Sequence, residues 1–184
     1  MKKWILALGI LSVVAVAGCG SDSEEGTNGE TNNETEQTSE NQEMDEQAVK
    51  KELLNVQMDL TNTFKTFQQK INAYQEALSA EEVDEQAIQQ TGEEAKKAAS
   101  EGAAAAGDYA VEADLPEEMK TNIEETLPAL QAYYEEVETA LTDNMENADF
   151  TAAEEKFTEF NDQFGEILQD AGFPATPNLM KEMS

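Results

Sequence analysis

The stretch VKKELLNVQMDLTNTFKTFQQKINAYQEAL, Val49 to Leu78, decides the fold. Its apolar positions Val49, Leu53, Val56, Leu60, Phe64, Phe67, Ile71, Tyr74 and Leu78 are separated by three or four residues throughout. That spacing puts them on one stripe of an α-helix some 30 residues long, about 45 Å at 1.5 Å per residue. A stripe of that length can be covered only by other long helices, so the rest of the chain is read for partners.

Three follow. A second helix starts near Asp84, whose side chain is a suitable N-cap, with Val83 and Ile88 placed as a hydrophobic staple. Ser79 with Glu82 forms a rival capping box. The inward positions of this helix are alanine, threonine and glycine, so its axis can approach a neighbour closely while burying little area. Gly92 and Gly102 each cost about 1 kcal/mol against alanine in a helix interior, which marks it as the least stable helix. Gly107 and Asp108 end it. A third begins with Pro116 at the first helical position and carries Met119, Ile123, Leu127, Leu130, Tyr134, Val137 and Leu141 inward. Pro128 interrupts that pattern and predicts a kink or a break into two helices. A fourth runs from about Thr151 to Asp170, with Thr151 and Glu154 as a capping box and Ala153, Phe157, Phe160, Phe164, Ile167 and Leu168 inward. Gly172 and Pro174 stop it.

No alternating run or Asn-Gly turn signals a strand. The expected fold class is therefore all-α, an antiparallel up-down bundle of four helices over residues 44–172. A three-helix arrangement with the alanine-rich helix loosely attached is the alternative. Residues 173–184 are too proline-broken for a long helix and are free to fold back over the bundle.

Composition removes whole classes of chemistry. Among 184 residues there are 40 acids, 11 lysines, no arginine and no histidine, a formal charge of −29. Zinc sites with histidine ligands, Ser-His-Asp and Cys-His catalysis, and Glu-x-x-His di-iron motifs all need an imidazole. Arginine clamps and arginine fingers are excluded in the same way. Nucleic acid is not an expected partner, because phosphate neutralisation requires the opposite charge. The same repulsion disfavours anionic lipids and anionic wall polymers.

The front end is of a different kind. Lys2 and Lys3 precede an apolar run from Trp4 to Ala17 broken only by Gly9 and Ser12, and the single cysteine, Cys19, follows Val16-Ala17-Gly18. The run is shorter than the roughly 20 apolar residues a membrane-spanning helix needs. These residues resemble the signal and lipobox of bacterial lipoproteins. The resemblance implies a signal peptide over residues 1–18, cleavage before Cys19, a diacylglycerol on its thiol, and a location on the extracytoplasmic face of the cell membrane. Two acyl chains hold a protein stably where one does so only marginally. Gly20 stands where an aspartate would signal retention at the inner of two membranes. With the leader gone, nine lysines and all 40 acids remain, a formal charge of −31. Residues 20–43, GSDSEEGTNGETNNETEQTSENQE, carry no aliphatic or aromatic side chain and no lysine. Together with Cys19 they make a disordered acidic linker over 19–43 with a root-mean-square reach of roughly 25–30 Å.

Candidate sites in the helical part are few. Asp143 to Glu154 is twelve residues between two helices, as in a calcium-binding loop, with Asp143, Asn147, Asp149, Thr151 and Glu154 at ligand positions. Met145 and Ala148 occupy places that call for an oxygen donor and a glycine, and capping accounts for Thr151 and Glu154 without a metal. Tyr133 and Tyr134 beside Glu135 and Glu136 suit a ligand with a cationic head, although Tyr134 has core spacing and Tyr133 reads as a half-exposed rim residue. The pairs Glu124-Glu125 and Glu154-Glu155 read as solvated helix faces before they read as hydrolytic carboxylates.

The expected function is a non-enzymatic binding or accessory module of the cell envelope, anchored by lipid, using no cofactor, with a basic or neutral envelope protein as partner. The layout is similar to that of small helical envelope lipoproteins of Gram-positive bacteria. The alternative is a lipoprotein that binds a small ligand or a cation such as calcium. A hydrolase ranks below both. A groove among the helices would favour the small ligand, and a solid core with an exposed apolar strip would favour a protein partner.

Overall fold

Asp45 opens the first helix by accepting a hydrogen bond from the Gln47 amide, and Asp84 opens the second by accepting from Gln86 and Ala87. These caps supply partners for amides that an α-helix leaves free at its start. A computed structural model describes residues 45–82, 84–174 and 176–184. Its elements are α1 (Glu46–Ser79), α2 (Glu85–Asp108), α3 (Glu117–Glu124), α4 (Leu127–Asp143), α5 (Thr151–Asp170) and α6 (Leu179–Met183). The described residues contain no strand, and the chain folds as an all-α helical bundle. Val83 of the expected staple lies outside the described residues.

The helix register follows from a few contacts. Tyr109, just beyond α2, donates to Asp59 on the early part of α1, while Lys70 further along α1 pairs with Glu94 near the start of α2. These helices therefore run antiparallel. Gly102 of α2 lies under the Tyr134 ring of α4, and Gly92 lies near Met145 just beyond α4, which makes that pair antiparallel as well. Backbones come closest between α1 and α2, α2 and α4, and α4 and α5. The first and last long helices do not approach each other in this way, and α6 packs on α1.

The core carries the expected stripes with two substitutions of position. Leu53, Val56, Leu60, Phe64, Ile71 and Tyr74 of α1 are buried, but Gln68 is buried as well and Phe67 is only partly so. Position 68 is four residues after Phe64 and three before Ile71, hence at the centre of the stripe, whereas Phe67 lies at its edge. Ile167 is likewise partly buried at the margin of α5. Tyr133, expected on the rim, is 3 % exposed.

Helix ends refine the reading. Pro116 is the N-cap of α3, one place earlier than expected, with Glu117 and Glu118 in the first turn. Pro128 produces a break: α3 ends at Glu124, and α4 restarts at Leu127 with the proline in its first turn, where its missing amide hydrogen costs little. The Thr126 hydroxyl donates to the Ile123 carbonyl across the break, 2.7 Å away. At α5 the expected capping box is absent. Phe150 is the N-cap, Thr151 is the first helical residue, and Asp149 accepts from both the Thr151 amide and its hydroxyl at 3.0 and 2.6 Å. The short Asp149 side chain caps by an Asx turn, which leaves Glu154 free to point elsewhere. Gly172 adopts φ +83° just past α5, the left-handed geometry that favours glycine after a helix.

The glycines of α2 are contact points. A Cβ at Gly102 would meet three Tyr134 ring atoms at 2.8–2.9 Å, and that ring is stacked on Phe64 with centroids 5.8 Å apart. A Cβ at Gly107 would meet only the exposed end of Gln131, the nearest atom at 3.3 Å. Gly102→Ala is expected to lower stability by about 1–2 kcal/mol, because overpacking against a held ring outweighs the gain in helix propensity. Gly107→Ala should leave stability unchanged or raise it by up to about 1 kcal/mol. Urea denaturation followed by circular dichroism measures both, and equal effects of the two would contradict this packing.

Candidate functional site

The seam left between α1 and α5 forms a groove of about 960 Å³. Its walls come from Gln68, Asn72, Gln75 and Glu76 on α1 and from Glu154, Thr158, Asn161 and Asp162 on α5. Ile71, Tyr133, Val137, Phe150 and Phe157 supply the apolar and aromatic surface. The C-terminal segment contributes Thr176, Pro177, Asn178 and Met180. A volume of this size falls in the roughly 300–1,000 Å³ range of small-molecule clefts.

Each wall has a local cause. The Tyr133 hydroxyl donates to Gln68 Oε1 at 2.7 Å, and Gln68 Nε2 donates to Asn72 Oδ1 at 2.9 Å. This relay lets a glutamine lie 2 % exposed in an apolar stripe, since a buried amide without partners would cost about 1–3 kcal/mol. The Tyr133 ring meets Phe157 edge to face, centroids 5.2 Å apart, which joins α4 to α5 beneath the groove. The far wall is tied down by three contacts. Asn161 Oδ1 accepts from the Leu179 amide at 3.1 Å, Gln169 Nε2 donates to the Thr176 hydroxyl at 2.7 Å, and Gly165 leaves room for the Thr176 methyl. Leu179 and Met183 of α6 are buried, and Asn178 caps that short helix by accepting from Lys181. The tail thus folds back over the bundle.

The groove's electrostatics have one sign. Among the described residues Glu76, Glu154 and Asp162 line it, and no lysine does. Lys156 of α5 is engaged with Glu159 at 3.1 Å. Burial pushes the Tyr133 phenol well above its ordinary value; the Gln68 hydrogen bond opposes that shift and the negative charge of Glu154 adds to it. Burial also raises Tyr134, and it raises Tyr109 with help from its hydrogen bond to Asp59.

The chain matches no family model, no curated protein and no solved structure. Its site is therefore built from geometry.

The residues singled out from the sequence scatter. Asp143 closes α4 and Asp149 is engaged with Thr151, which holds its carboxyl below the usual range through the hydroxyl and then the backbone amide. Tyr74 donates to the Met145 carbonyl at 2.8 Å and accepts from the Ala148 amide at 3.1 Å, so the loop that carries Asn147 is fastened to α1 by a phenol. Among the described residues no three acidic side chains gather as a metal-holding group. Glu154 is the one residue of the calcium-loop set in the groove. Tyr133 lines the groove and Tyr134 does not, and the carboxylates nearby are Glu154 and Glu76 in place of Glu135 and Glu136. Val16, Ala17, Gly18 and Cys19 lie outside the described residues.

Two adjacent phenols give opposite expectations. Tyr133→Phe removes the donor to a buried amide and should cost about 1–2 kcal/mol. The Tyr134 hydroxyl is buried without a protein hydrogen-bond partner, so Tyr134→Phe should be neutral or stabilising. Chemical denaturation of the two variants separates them, and a larger loss at Tyr134 would contradict the relay. The raised phenols also set the alkaline limit. Their contribution is complete below the ordinary value of 10.0 and is lost as the pH climbs above it towards the folded-state values. A spectrophotometric titration should show part of the tyrosinate signal appearing together with the loss of helical circular dichroism. Complete ionisation of all four tyrosines in a still helical protein would overturn this.

Proposed function

We propose that the chain is an exported, lipid-anchored binding module of the cell envelope, non-enzymatic, whose ligand sits in the groove between α1 and α5. The observation that supports a ligand is the groove itself: a cleft of about 960 Å³ with an aromatic base, amide walls and a wall closed by the folded-back tail. Side chains of this kind suit holding and orienting a molecule. Between the two functions weighed from the sequence, this favours a small ligand over a protein docked on an apolar strip. Among the described residues, the exposed apolar surface of large side chains is confined to Leu54 and Met58 on α1, a patch well short of a stable interface.

The anchor rests on the first twenty residues. The basic start, the short apolar run and Val16-Ala17-Gly18-Cys19 act together, and no helix among the described residues is long and apolar enough to cross a membrane. A diacylglycerol on Cys19 would then supply the attachment, with residues 20–43 as the spacer.

Expression of the wild-type and Cys19→Ser chains in a bacterium that processes lipoproteins tests this. The wild type should sediment with membranes and carry the mass of a diacylglycerol on its first residue, whereas Cys19→Ser should appear in the soluble extracytoplasmic fraction. An unmodified thiol in membrane-associated wild type would overturn the assignment.

A further inference from the structure

The groove differs from the rest of the acidic surface in one respect. Smaller hollows of about 240 and 270 Å³ also carry carboxylates, whereas this one, at about 960 Å³, has room for a metabolite and three aromatic residues in its lining. Here the exposed carboxylates of Glu76, Glu154 and Asp162 border a concave surface whose lining includes Tyr133, Phe150 and Phe157. A cleft with low-dielectric walls and charges of one sign focuses the field within it, and aromatic faces attract cations in addition. We propose that this groove binds a small organic cation, an ammonium group carried on an apolar body, with the body over the aromatic base and the charge towards the acidic walls.

Three observations favour that class over others. Among the described residues no lysine lines the groove, so an anionic head would face carboxylates with no opposite charge to offset them, and a neutral ligand would leave those carboxylates unused. Gln68 is held by Tyr133 and Asn72, so the amide wall is fixed in place beside the acidic rim. The volume holds a molecule of metabolite size, and the aromatic base gives it apolar surface to cover. Asn161 is engaged with the Leu179 amide, which keeps the tail in place as the groove's end wall.

The inference rests on the reading of the groove as the ligand site, and three probes with one body separate the two. The chain expressed without its leader and with Cys19→Ser is titrated by amide NMR at near-physiological ionic strength with 3-phenylpropylammonium, 3-phenylpropanol and 3-phenylpropionate. The ammonium compound should shift resonances of Gln68, Asn72, Tyr133 and Phe157 and bind at least about tenfold more tightly than the alcohol, with the carboxylate weakest. The triple variant Glu76→Gln, Glu154→Gln, Asp162→Asn, its fold verified by thermal melting, should bring cation and alcohol to about equal affinity. Glu118→Gln, on the exposed face of α3, should not. Equal binding of cation and alcohol in the wild-type groove would overturn the cationic ligand and leave the groove as a site. Shifts of groove resonances by none of the probes would remove both. Shifts spread over the outer helix faces and unaltered in the triple variant would show diffuse attraction to an acidic protein and also overturn the proposal.

Discussion

The Tyr134 ring, pressed onto the bare backbone of Gly102 and stacked on Phe64, is the contact on which the arrangement depends. It is made by three helices at once. Because α2 presents glycine and alanine on its buried face, α4 can settle against it while the ring of Tyr134 reaches α1. Phe67 meets the same ring edge to face, so the tyrosine is held on more than one side. With α4 drawn towards α2, α5 packs on the outer side of α4 and its backbone stays apart from that of α1. The groove is therefore a consequence of close packing elsewhere. A helix of larger residues in place of α2 would have to move outward, and the bundle could then close in another way.

The second constraint is the price of placing polar groups at a helix seam. Gln68 occupies a core position and is tolerated because Tyr133 and Asn72 supply its hydrogen bonds. The same three side chains give the α1 wall of the groove fixed polarity. On the other side the chain beyond α5 turns back through Gly172, fits Thr176 against Gly165, and buries Leu179 and Met183. This segment covers part of the apolar surface that α1 and α5 would otherwise share, and it leaves the remainder as a lined cleft. The outer surface, rich in carboxylates, repels other polyanions.

Much of this was legible in the sequence. Spacings of three and four located α1, α4 and α5, Asp84 with the Gly107-Asp108 end bounded α2, and Pro128 announced the break between α3 and α4. Periodicity reports which face of a helix is apolar, and that suffices for an all-α bundle. It was silent on Gln68, since a polar residue inside a stripe reads as an interruption; its place four residues after Phe64 and three before Ile71 was the available signal. The glycines of α2 read as weaknesses of an isolated helix and turned out to be contact points, because propensity concerns one helix and packing concerns two. The α5 cap was misplaced by the same kind of limit: Asp149 and Thr151 are both good capping residues, and only the backbone geometry chooses between them. The groove was not legible at all. It depends on which helices fail to meet, and its carboxylates come from two helices far apart in the chain, Glu76 on one and Glu154 and Asp162 on the other, among 40 that look alike.

Helix pairing of this kind makes one claim that governs the others: α1 and α5 are separated by a cleft while α2 and α4 are in contact through Tyr134. Nuclear Overhauser spectroscopy of residues 44–184 tests it directly. Strong effects should link the Gly102 α-protons to the Tyr134 ring, with none between Gln75 on α1 and Thr158 on α5. Direct effects between those two walls, with Tyr134 remote from Gly102, would mean a closed four-helix seam and would contradict the account.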